Sequence, residues 1–370
     1  MKIVITGGHL SPALEVINEL QSNPKWSNTS ILVLGRKYSF EGDKALSLEY
    51  LTMKKNKIPF EDIKTARLQR KFTRYTIFSL IKFPYGFFRA IFVMNKFKPD
   101  VVLSFGGYVS IPSTLAGFFL NIPVVIHEQT LEAGVANKIA SIFAKKICIS
   151  WEESRKFFPK SKTILTGIPV RKFKIQNLKF KIAEDKTPLI YVTGGSSGSH
   201  AINILIEGCL KKLLSDYQII HQTGDSEYGD FDRLEKLKKS FPEKLQDRYL
   251  ITKFVDPSRV GSILSKADLV ISRSGINTVV ELLSYGKPSL LIPLPYGQNN
   301  EQLKNALIIK KVGLGEIVNQ EEVSSEDLNN KITDMFKNIS SYKMHAKDGQ
   351  TLIIENAAKK IVDVLSSEVH

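Results

Sequence analysis

The sequence has few of the residues and patterns that mark secreted, metal-binding or nucleotide-hydrolysing proteins. Its 370 residues include only two cysteines, Cys148 and Cys209, and their spacing fits no metal site. We expect both to be buried, inert thiols in a reducing compartment. There is no GxxxxGKS/T phosphate loop and no complete GxGxxG fingerprint, which argues against a P-loop ATPase and a nicotinamide cofactor. We expect no signal peptide, because the strand-like start Lys2–Ile5 runs straight into a glycine turn.

Charged residues are missing from one long stretch, residues 101–126, which is long enough to span a bilayer. The stretch is interrupted by residues that disfavour a continuous apolar helix: Gly106, Gly107, Pro112, Asn121 and Pro123. Two strands flanking a helix account better for this punctuation than a transmembrane helix does. We therefore predict strand, helix and strand at Val101–Phe105, Ile111–Leu120 and Pro123–His127.

Positive charge is abundant and unevenly placed. The formal net charge is +15, and residues 54–98 contain 12 lysines and arginines against two acids, Glu61 and Asp62, a net +10 in one segment. Aromatic and aliphatic side chains are interleaved with these charges from Phe72 to Phe92. Such a patch indicates an anionic partner, either nucleic acid or a membrane surface. No RNA- or DNA-binding motif accompanies it, so we expect no nucleic acid.

Short β-rich runs alternate along the chain with stretches of helical periodicity such as Pro12–Leu20 and Ala201–Leu214. The alternation predicts an α/β fold with mainly parallel sheets. Val4–His9 and Tyr191–Ser196 share one pattern of strand, glycine turn and helix start, as expected at the first turn of two Rossmann-like domains. The predicted strands are Lys2–Thr6, Ile31–Gly35, Val101–Phe105, Val124–His127, Ile164–Leu165, Leu189–Thr193, Gln218–His221, Leu250–Phe254, Leu269–Ser272 and Ser289–Pro293.

The length of the chain also favours two domains. We place them at residues 1–168 and 169–349, with the charged segment Arg171–Pro188 as the linker between the two folded parts. The last stretch, about residues 350–370, contains an amphipathic helix at Asn356–Leu365. We expect this helix to pack back on the first domain.

Three glycine-containing turns follow predicted strands: Gly7-Gly8, Gly194-Gly195 and Ser274-Gly275. Such turns let backbone amides approach an anion at a helix N-terminus, although tight strand-to-helix turns need glycine for structural reasons as well. The third turn is the most specific, because Glu281 lies in the second turn of the helix that follows and side chains lean towards a helix N-terminus. A carboxylate beside an anion site suits a ribose diol attached to a diphosphate. A solvated helix glutamate is the alternative.

Other polar residues are predicted at the same carboxyl edges. His9 begins the first helix, and Glu128 follows His127 at the end of a strand; either could act as a general base, although a lone histidine is more often structural. The amides of Pro293–Gln302 suit sugar hydroxyls, or belong to an ordinary surface loop. Asp230-Phe231-Asp232 matches the DxD pattern of metal-dependent sugar transferases, but its charged surroundings indicate a solvated helix start, and we expect no metal.

In order and spacing these motifs resemble the MurG family of bacterial lipid I N-acetylglucosaminyltransferases, from Ile5 to about Gly315. The matching segments are Thr6–His9, Phe105–Ser110, His127–Gln129 with Ala133-Gly134 and Asn137-Lys138, Pro169–Arg171, Gly194–Ser196, Phe254–Asp256, Arg273–Gly275 with Thr278 and Glu281, and Gln302 with Asn305-Ala306. The family has a GGTGGH loop where this chain has TGGH, and an asparagine at the position of Thr130. The resemblance implies the GT-B architecture, in which two Rossmann-like domains with parallel sheets face each other across a cleft.

The resemblance also implies an inverting transferase without a cofactor. The donor would be UDP-N-acetylglucosamine, and the acceptor undecaprenyl-diphosphate-linked N-acetylmuramoyl-pentapeptide. His9 and Glu128 would be the catalytic residues. The residues expected to bind substrate are Thr6, Gly7, Gly8, Thr130, Asn137, Arg171, Ser196, Val255, Ile276, Asn277, Thr278, Glu281 and Gln302.

Members of this family dock on the membrane through an apolar and basic patch, which implies a peripheral protein on the cytoplasmic face of the cell membrane with an anionic membrane surface as a partner. The expected docking residues are Phe78, Lys82, Phe87, Phe88 and Arg89. We expect Pro84 and Gly86 to interrupt the helix there, and part of the aromatic side chains to belong to the core. Three other functions remain open: a UDP-N-acetylglucosamine 2-epimerase-like isomerase, a UDP-sugar transferase acting on another lipid acceptor, and a non-catalytic sugar-nucleotide binder.

Overall fold

The computed structural model describes residues 1–38, 46–65, 74–170, 187–195, 198–296 and 300–369, except for the side chains of residues 74–82 and 257–258. It divides into two compact units. Unit 1 consists of Met1–Arg171 together with Ile354–His370, and unit 2 of Lys172–Ile353. Most of the predicted linker, residues 171–186, lies outside the described residues.

Unit 1 contains a seven-stranded parallel sheet with the order β3-β2-β1-β4-β5-β6-β7. Its strands are β1 (Lys2–Thr6), β2 (Ser30–Gly35), β3 (Phe60–Asp62), β4 (Val101–Ser104), β5 (Val124–Glu128), β6 (Lys146–Ile149) and β7 (Thr163–Leu165). Its helices between β1 and β7 are α1 (Leu10–Ser22), α2 (Leu48–Lys55), α3 (Arg74–Phe97), α4 (Ser110–Phe119) and α5 (Val135–Phe143), with short 3-10 helices at Pro24–Trp26, Glu152–Phe157 and Lys160–Lys162. The inner strands are buried on both faces, as parallel sheets require.

Unit 2 contains a six-stranded parallel sheet with the order β10-β9-β8-β11-β12-β13. Its strands are β8 (Leu189–Thr193), β9 (Gln218–Gln222), β10 (Tyr249–Thr252), β11 (Leu269–Ser272), β12 (Ser289–Leu291) and β13 (Gly315–Ile317). Its helices are α6 (His200–Asp216), α7 (Asp230–Lys239), α8 (Glu243–Asp247), α9 (Pro257–Lys266), α10 (Ile276–Tyr285), α11 (Glu301–Val312), α12 (Ser325–Lys337), α13 (Ile339–Met344) and α14 (Ala346–Thr351).

The last helix, α15 (Ala357–Ser367), returns to unit 1. Ile361, Val362 and Leu365 are fully buried in the core that also holds the apolar residues of β1 and α1. Beyond the helix, Glu368 is buried and its carboxylate lies 3.3 Å from the Lys145 ammonium. The predicted amphipathic helix at Asn356–Leu365 is therefore present, from Ala357 to Ser367.

Most predicted elements are confirmed within a residue or two. β1, β8 and β11 have the predicted bounds, and the uncharged stretch forms β4, α4 and most of β5. β3, β6 and β13 were missed. β3 and β13 are three-residue strands at sheet edges, too short to show a period. Both cysteines are buried free thiols as predicted, and burial raises the pKa of each to about 12.

The predicted interruption at Pro84 and Gly86 is wrong, because α3 runs continuously from Arg74 to Phe97. Gly86 serves packing instead: an added Cβ would lie 2.8 Å from the carbonyl oxygen of Lys64. The lost hydrogen bond at Pro84 is tolerated because residues further along α3, such as Val93 and Met94, are anchored in the core. Among the described residues, we find no helix that is both long and apolar enough for a membrane span.

Candidate active site

Two glycine turns of unit 1 pack against each other at the carboxyl edge of the sheet. Gly7 has φ +129°, and a Cβ there would lie 2.7 Å from the carbonyl oxygen of Gly106. The Gly8 N–H donates to that same oxygen at 3.0 Å. Only glycine fits at position 7, since both its backbone angle and its neighbour exclude a side chain. Gly8 differs, because a Cβ there would meet nothing within 4 Å.

The turn after β8 in unit 2 likewise has one glycine without room for a side chain and one glycine with room. A Cβ on Gly194 would lie 2.2 Å from the backbone nitrogen of Ser199, so this position is closed. Gly195, at φ +85°, and Gly275, before α10, both face open space. Among the described residues, each of the three turns therefore has one glycine whose Cβ position has no neighbour within 4 Å, which leaves room there for a ligand to approach the backbone.

His9 lies at the N-cap of α1, directly after the first of these turns. Burial lowers the pKa of its imidazole, and the charge of Glu128 opposes this shift only in part. His9 is therefore neutral near pH 7 and able to accept a proton. A second histidine, His127, is fully buried next to it in the sheet edge; burial lowers its pKa to about 4, and its Nε2 lies 3.0 Å from the carbonyl oxygen of Gly167.

The carboxylate of Glu128 accepts several hydrogen bonds from the segment that follows β5. The donors are the Thr130 N–H at 3.0 Å, the Thr130 hydroxyl at 2.7 Å, the Gly134 N–H at 3.0 Å and the Asn137 amide at 2.9 Å. A buried carboxylate with four donors is well compensated. This arrangement favours a positioning role for Glu128 over that of a general base. It also occupies Thr130 and Asn137, two predicted substrate-binding residues, although the Oδ1 of Asn137 is buried without a partner among the described residues.

A further acid of unit 1, Glu49, was not singled out from the sequence. It lies in the first turn of α2 against Gly35, where a Cβ would come within 2.6 Å of its Oε2. Burial raises the pKa of the Glu49 carboxyl to about 7, and the hydrogen bond and charge of Arg36 oppose the shift. Gly35 is the residue that follows Leu34, the partner of Thr6 in β1, so Glu49 lies near the Gly7-Gly8 turn.

In unit 2, the predicted donor residues surround the start of α10. Ile276 is buried and Asn277 and Thr278 are half-buried in its first turn. Glu281 is half-buried, and its charge adds to the effect of burial in raising the pKa values of Tyr191 and Tyr285. It is thus close to β8 rather than a solvated helix glutamate. Val255, after β10, is buried as well.

Arg273 and Gln302 hold the loop after β12 beside this helix. The buried Arg273 donates to the carbonyl oxygen of Ile292 at 2.9 Å and to Gln320 at 2.5 Å, and burial lowers its pKa. The side-chain oxygen of Gln302 accepts from the Leu294 N–H at 2.9 Å, so part of this predicted sugar-binding amide supports the loop. Arg171 and Ser196, and residues 297–299 of the loop, lie outside the described residues.

The DxD sequence was predicted to be a solvated helix start, and the helix start is confirmed whereas the solvation of Asp230 is wrong. α7 does begin at Asp230, but this aspartate is buried. It accepts from Arg233 and from the amide of Asn203 at 2.7 and 2.8 Å, and pairs with His200 Nδ1 at 2.8 Å. The carboxylate is thus committed to protein partners. Within the described ranges, no group of three or more His, Cys, Asp or Glu side chains is arranged to hold a metal ion.

Comparison with known proteins covers both units. Models of the glycosyltransferase family 28 N-terminal and C-terminal domains match residues 4–149 and 189–364. UDP-N-acetylglucosamine–N-acetylmuramyl-(pentapeptide) pyrophosphoryl-undecaprenol N-acetylglucosamine transferase from Geobacter metallireducens is 33% identical over 97% of this chain and 95% of the relative. A Bacillus cereus protein with this name and the number 2 is 33% identical over 97% of this chain and 99% of its own length.

Solved structures show the same relationship. The crystal structure of Acinetobacter baumannii MurG aligns with a TM-score of 0.74 at 26% identity, covering 99% of both chains. UDP-GlcNAc 2-epimerase from Neisseria meningitidis bound to UDP-GlcNAc aligns with a TM-score of 0.68 at 19% identity over 99% of this chain and 100% of the other, a likeness of fold alone. The predicted GT-B fold with two Rossmann-like domains is confirmed.

Replacing Glu49 with Gln should remove a pH-dependent loss of stability. In the folded protein the Glu49 carboxyl has a pKa of about 7, compared with its usual 4.5. The stability that the protein gains by binding this proton is therefore fully present below pH 4.5 and is lost as the pH rises through 7. The free energy of unfolding of Glu49→Gln relative to wild type should therefore increase over this window, by about 1–3 kcal/mol. Urea unfolding followed by tryptophan fluorescence measures it, since the two tryptophans, Trp26 and Trp151, both belong to unit 1.

The exposed Glu153 provides the matched control for this substitution. Glu153→Gln should follow the wild-type pH profile. Parallel profiles for Glu49→Gln and wild type would show that the Glu49 carboxyl ionises normally.

Proposed function

The chain belongs to glycosyltransferase family 28, and we propose that it transfers N-acetylglucosamine from UDP-N-acetylglucosamine to N-acetylmuramyl-pentapeptide carried on undecaprenyl diphosphate. The observation that carries this function is its 33% identity, over 97% of the chain, to a transferase with that name. The product is the disaccharide lipid used in peptidoglycan synthesis. No described feature favours the isomerase or another lipid acceptor over this reaction.

Unit 2 holds the donor in this proposal. Glu281 binds the ribose, and the open position at Gly275 lets the diphosphate approach the N-terminus of α10, where backbone N–H groups and the helix dipole favour negative charge. Val255, Ile276, Asn277, Thr278 and Gln302 complete the donor site, with Arg171 and Ser196. The negative charge that develops on the leaving UDP is stabilised by the same helix terminus.

His9 is the general base in this proposal. The acceptor hydroxyl oxygen bonds to C1 of the sugar with inversion, the bond from C1 to the diphosphate oxygen breaks, and UDP leaves with the electron pair. The neutral imidazole of His9 takes the hydroxyl proton, and the nearby Glu128 carboxylate stabilises the imidazolium that forms. Thr6, Gly7 and Gly8 shape the edge at which the acceptor binds, and Thr130 and Asn137 are held there by Glu128.

The direct test of the function is a transfer assay with labelled UDP-N-acetylglucosamine and the undecaprenyl-linked acceptor in detergent. We expect labelled disaccharide lipid, and no UDP-N-acetylmannosamine when the donor is incubated alone. Epimerised donor without lipid product would instead identify an isomerase. Transfer to diacylglycerol but not to the polyprenyl acceptor would reassign the acceptor class.

Substitutions at His9 and Glu128 separate the base from its positioning residue. His9→Ala should lower kcat about 10²–10⁴-fold while UDP binding persists, because only proton transfer is lost. Glu128→Gln removes the charge that raises the pKa of His9, so the acid limb of the pH–rate profile should move to lower pH. If Glu128 were the base, its replacement would abolish the plateau at every pH, and His9→Ala would be nearly silent.

We also propose that the outer face of α3, α4 and α5 in unit 1 docks on an anionic membrane surface, because the acceptor carries a lipid tail. Exposed apolar side chains line all three helices: Phe88 and Phe92 on α3, Phe118 and Phe119 on α4, and Val135, Ile139 and Ile142 on α5. Sequence patterns suggested α3 alone. A contiguous apolar face supports an interaction site, and the enzyme would act as a peripheral protein on the cytoplasmic face.

Two of the predicted docking residues contribute less than expected. Phe87 is half-buried and packs against Phe119, with ring centroids 5.7 Å apart, so it belongs mainly to the core. Arg89 forms an ion pair with Glu61 at 2.8 Å, which reduces its availability to lipid headgroups. The exposed Lys96 and Lys138 remain beside the apolar residues. The side chains of Phe78 and Lys82 lie outside the described residues.

Liposome flotation tests this docking surface. Phe88 and Ile142 are 66% and 70% exposed, so Phe88→Ser with Ile142→Ser should weaken binding to anionic vesicles without unfolding the protein. Binding of the wild type should fall as salt rises, since each lysine near anionic lipid contributes about 1 kcal/mol. Met344→Ser, at a 74% exposed position of unit 2, is the control. Equal flotation of the double variant and the control variant would exclude this face.

A further inference from the structure

Polar side chains end the neighbouring strands β8 and β9 of unit 2. Thr193 is the last residue of β8 and Gln222 the last of β9, and the two are direct partners in the parallel pairing. Partner residues of neighbouring strands point to the same face of a sheet, and residues two apart along a strand do so as well. Tyr191 therefore shares the face of Thr193 and Gln222. The opposite face carries Ile190 and Val192 into the core of unit 2.

Two of these side chains bind both backbone groups of Gly195, one of the glycines with room at its Cβ position. The Gly195 N–H donates to the Thr193 hydroxyl at 3.1 Å, and the Gly195 carbonyl oxygen accepts from the Gln222 amide at 3.2 Å. The same carbonyl oxygen accepts from the Gly198 N–H at 3.1 Å. These hydrogen bonds hold the left-handed turn, at φ +85°, without occupying the open space at its Cβ position.

The hydroxyl of Tyr191 determines which way the Gln222 amide points. It donates to the Gln222 Oε1 at 2.8 Å, so the amide nitrogen is the end that faces Gly195. Turning the amide by 180° would place its oxygen against the Gly195 carbonyl oxygen, which is also an acceptor. Tyr191 and Gln222 are only 2% and 6% exposed, so a lost partner is not readily replaced by water.

Tyr191 also lies near the proposed ribose-binding residue. Burial and the nearby charge of Glu281 both raise the pKa of the Tyr191 hydroxyl. The strand before α10, β11, pairs directly with β8, so the turns that contain Gly195 and Gly275 follow neighbouring strands. Both glycines have open Cβ positions. Tyr191 thus connects the Gly195 turn with the side of unit 2 that holds the donor in the proposed function.

We propose that Gln222, oriented by Tyr191, is a positioning residue for the UDP-sugar donor. It holds the Gly195 turn beside the start of α10, so that the diphosphate of the donor binds against two preformed backbone turns. A turn that is already ordered lowers the cost of binding, although neither side chain touches the ligand. The identity of the ligand rests on the proposed function. Neither residue is among those expected from the sequence to bind substrate.

Calorimetric titration of UDP into the full chain tests this role. Tyr191→Phe removes only the hydroxyl, and Gln222→Met keeps the approximate shape of the side chain without its donor. Each should weaken UDP binding about three- to ten-fold, the effect of losing one hydrogen bond. The double variant should bind UDP no more weakly than Gln222→Met alone, because Tyr191 acts through Gln222. In the transfer assay, the KM for UDP-N-acetylglucosamine should rise by the same factor, whereas the KM for the acceptor should not change.

Tyr249→Phe is the matched control. Tyr249 is a tyrosine of the same unit, 1% exposed, whose hydroxyl lies 2.8 Å from the Nδ1 of His221. This variant should lower the free energy of unfolding about as much as Tyr191→Phe does, but it should bind UDP as the wild type does. Equal UDP affinity of Tyr191→Phe and Tyr249→Phe, or additive losses in the double variant, would overturn the inference. Weaker UDP binding without additivity, in a protein that transfers no sugar, would support the positioning role and refute the proposed reaction.

Discussion

The close approach of two backbone turns determines the arrangement of unit 1. Gly7 and Gly8 lie against Gly106 so tightly that neither Gly7 nor Gly106 has room for a Cβ, and the Gly8 N–H donates a hydrogen bond to the Gly106 carbonyl oxygen. This contact sets where α1 begins and therefore where His9 lies. It also brings Asn137 against Gly106, at 2.9 Å from the Cβ position, and so connects the loop after β5 to the first two turns. A side chain at either glycine would separate the groups that the proposed chemistry requires together.

Charged groups buried at the two sheet edges are compensated within their own unit. Glu128 has four donors in unit 1, Asp230 pairs with His200, Asn203 and Arg233 in unit 2, and Arg273 donates to carbonyl and amide oxygens. Burying such groups without partners would cost several kcal/mol each. The partners of Glu128 follow the same strand, those of Asp230 lie on α6 and α7, and those of Arg273 follow β12 and β13, so each charge also fixes the segments around it. These carboxylates are better suited to hold a site in shape than to exchange protons.

α3 combines core packing with the proposed contact to the membrane. Ala90, Val93 and Met94 are buried, whereas Phe88 and Phe92 point outwards one turn apart. Gly86 lets the helix approach the backbone at Lys64, and this approach keeps the apolar outer residues on the surface rather than in the core. The neighbouring ends of α4 and α5 extend the same face, so a surface that the sequence suggests as one helix is built from three.

Most elements and their order were predictable from the sequence, since strand runs, glycine turns and helical periodicity are local properties. It also predicted polar side chains at the carboxyl ends of strands, including His9 and Glu128, because carboxyl ends of parallel strands share one edge. It could not decide what each side chain does there. The burial of Asp230 and the half-burial of Phe87 depend on hydrogen-bond partners and core residues distant in sequence. The proximity of Glu281 to Tyr191 is the clearest case, because β9 and β10 lie between them in the sequence, whereas β11, the strand before α10, lies directly beside β8 in the sheet. Only the sheet order brings α10 to β8, since the pairing of strands distant in sequence is set by the tertiary fold.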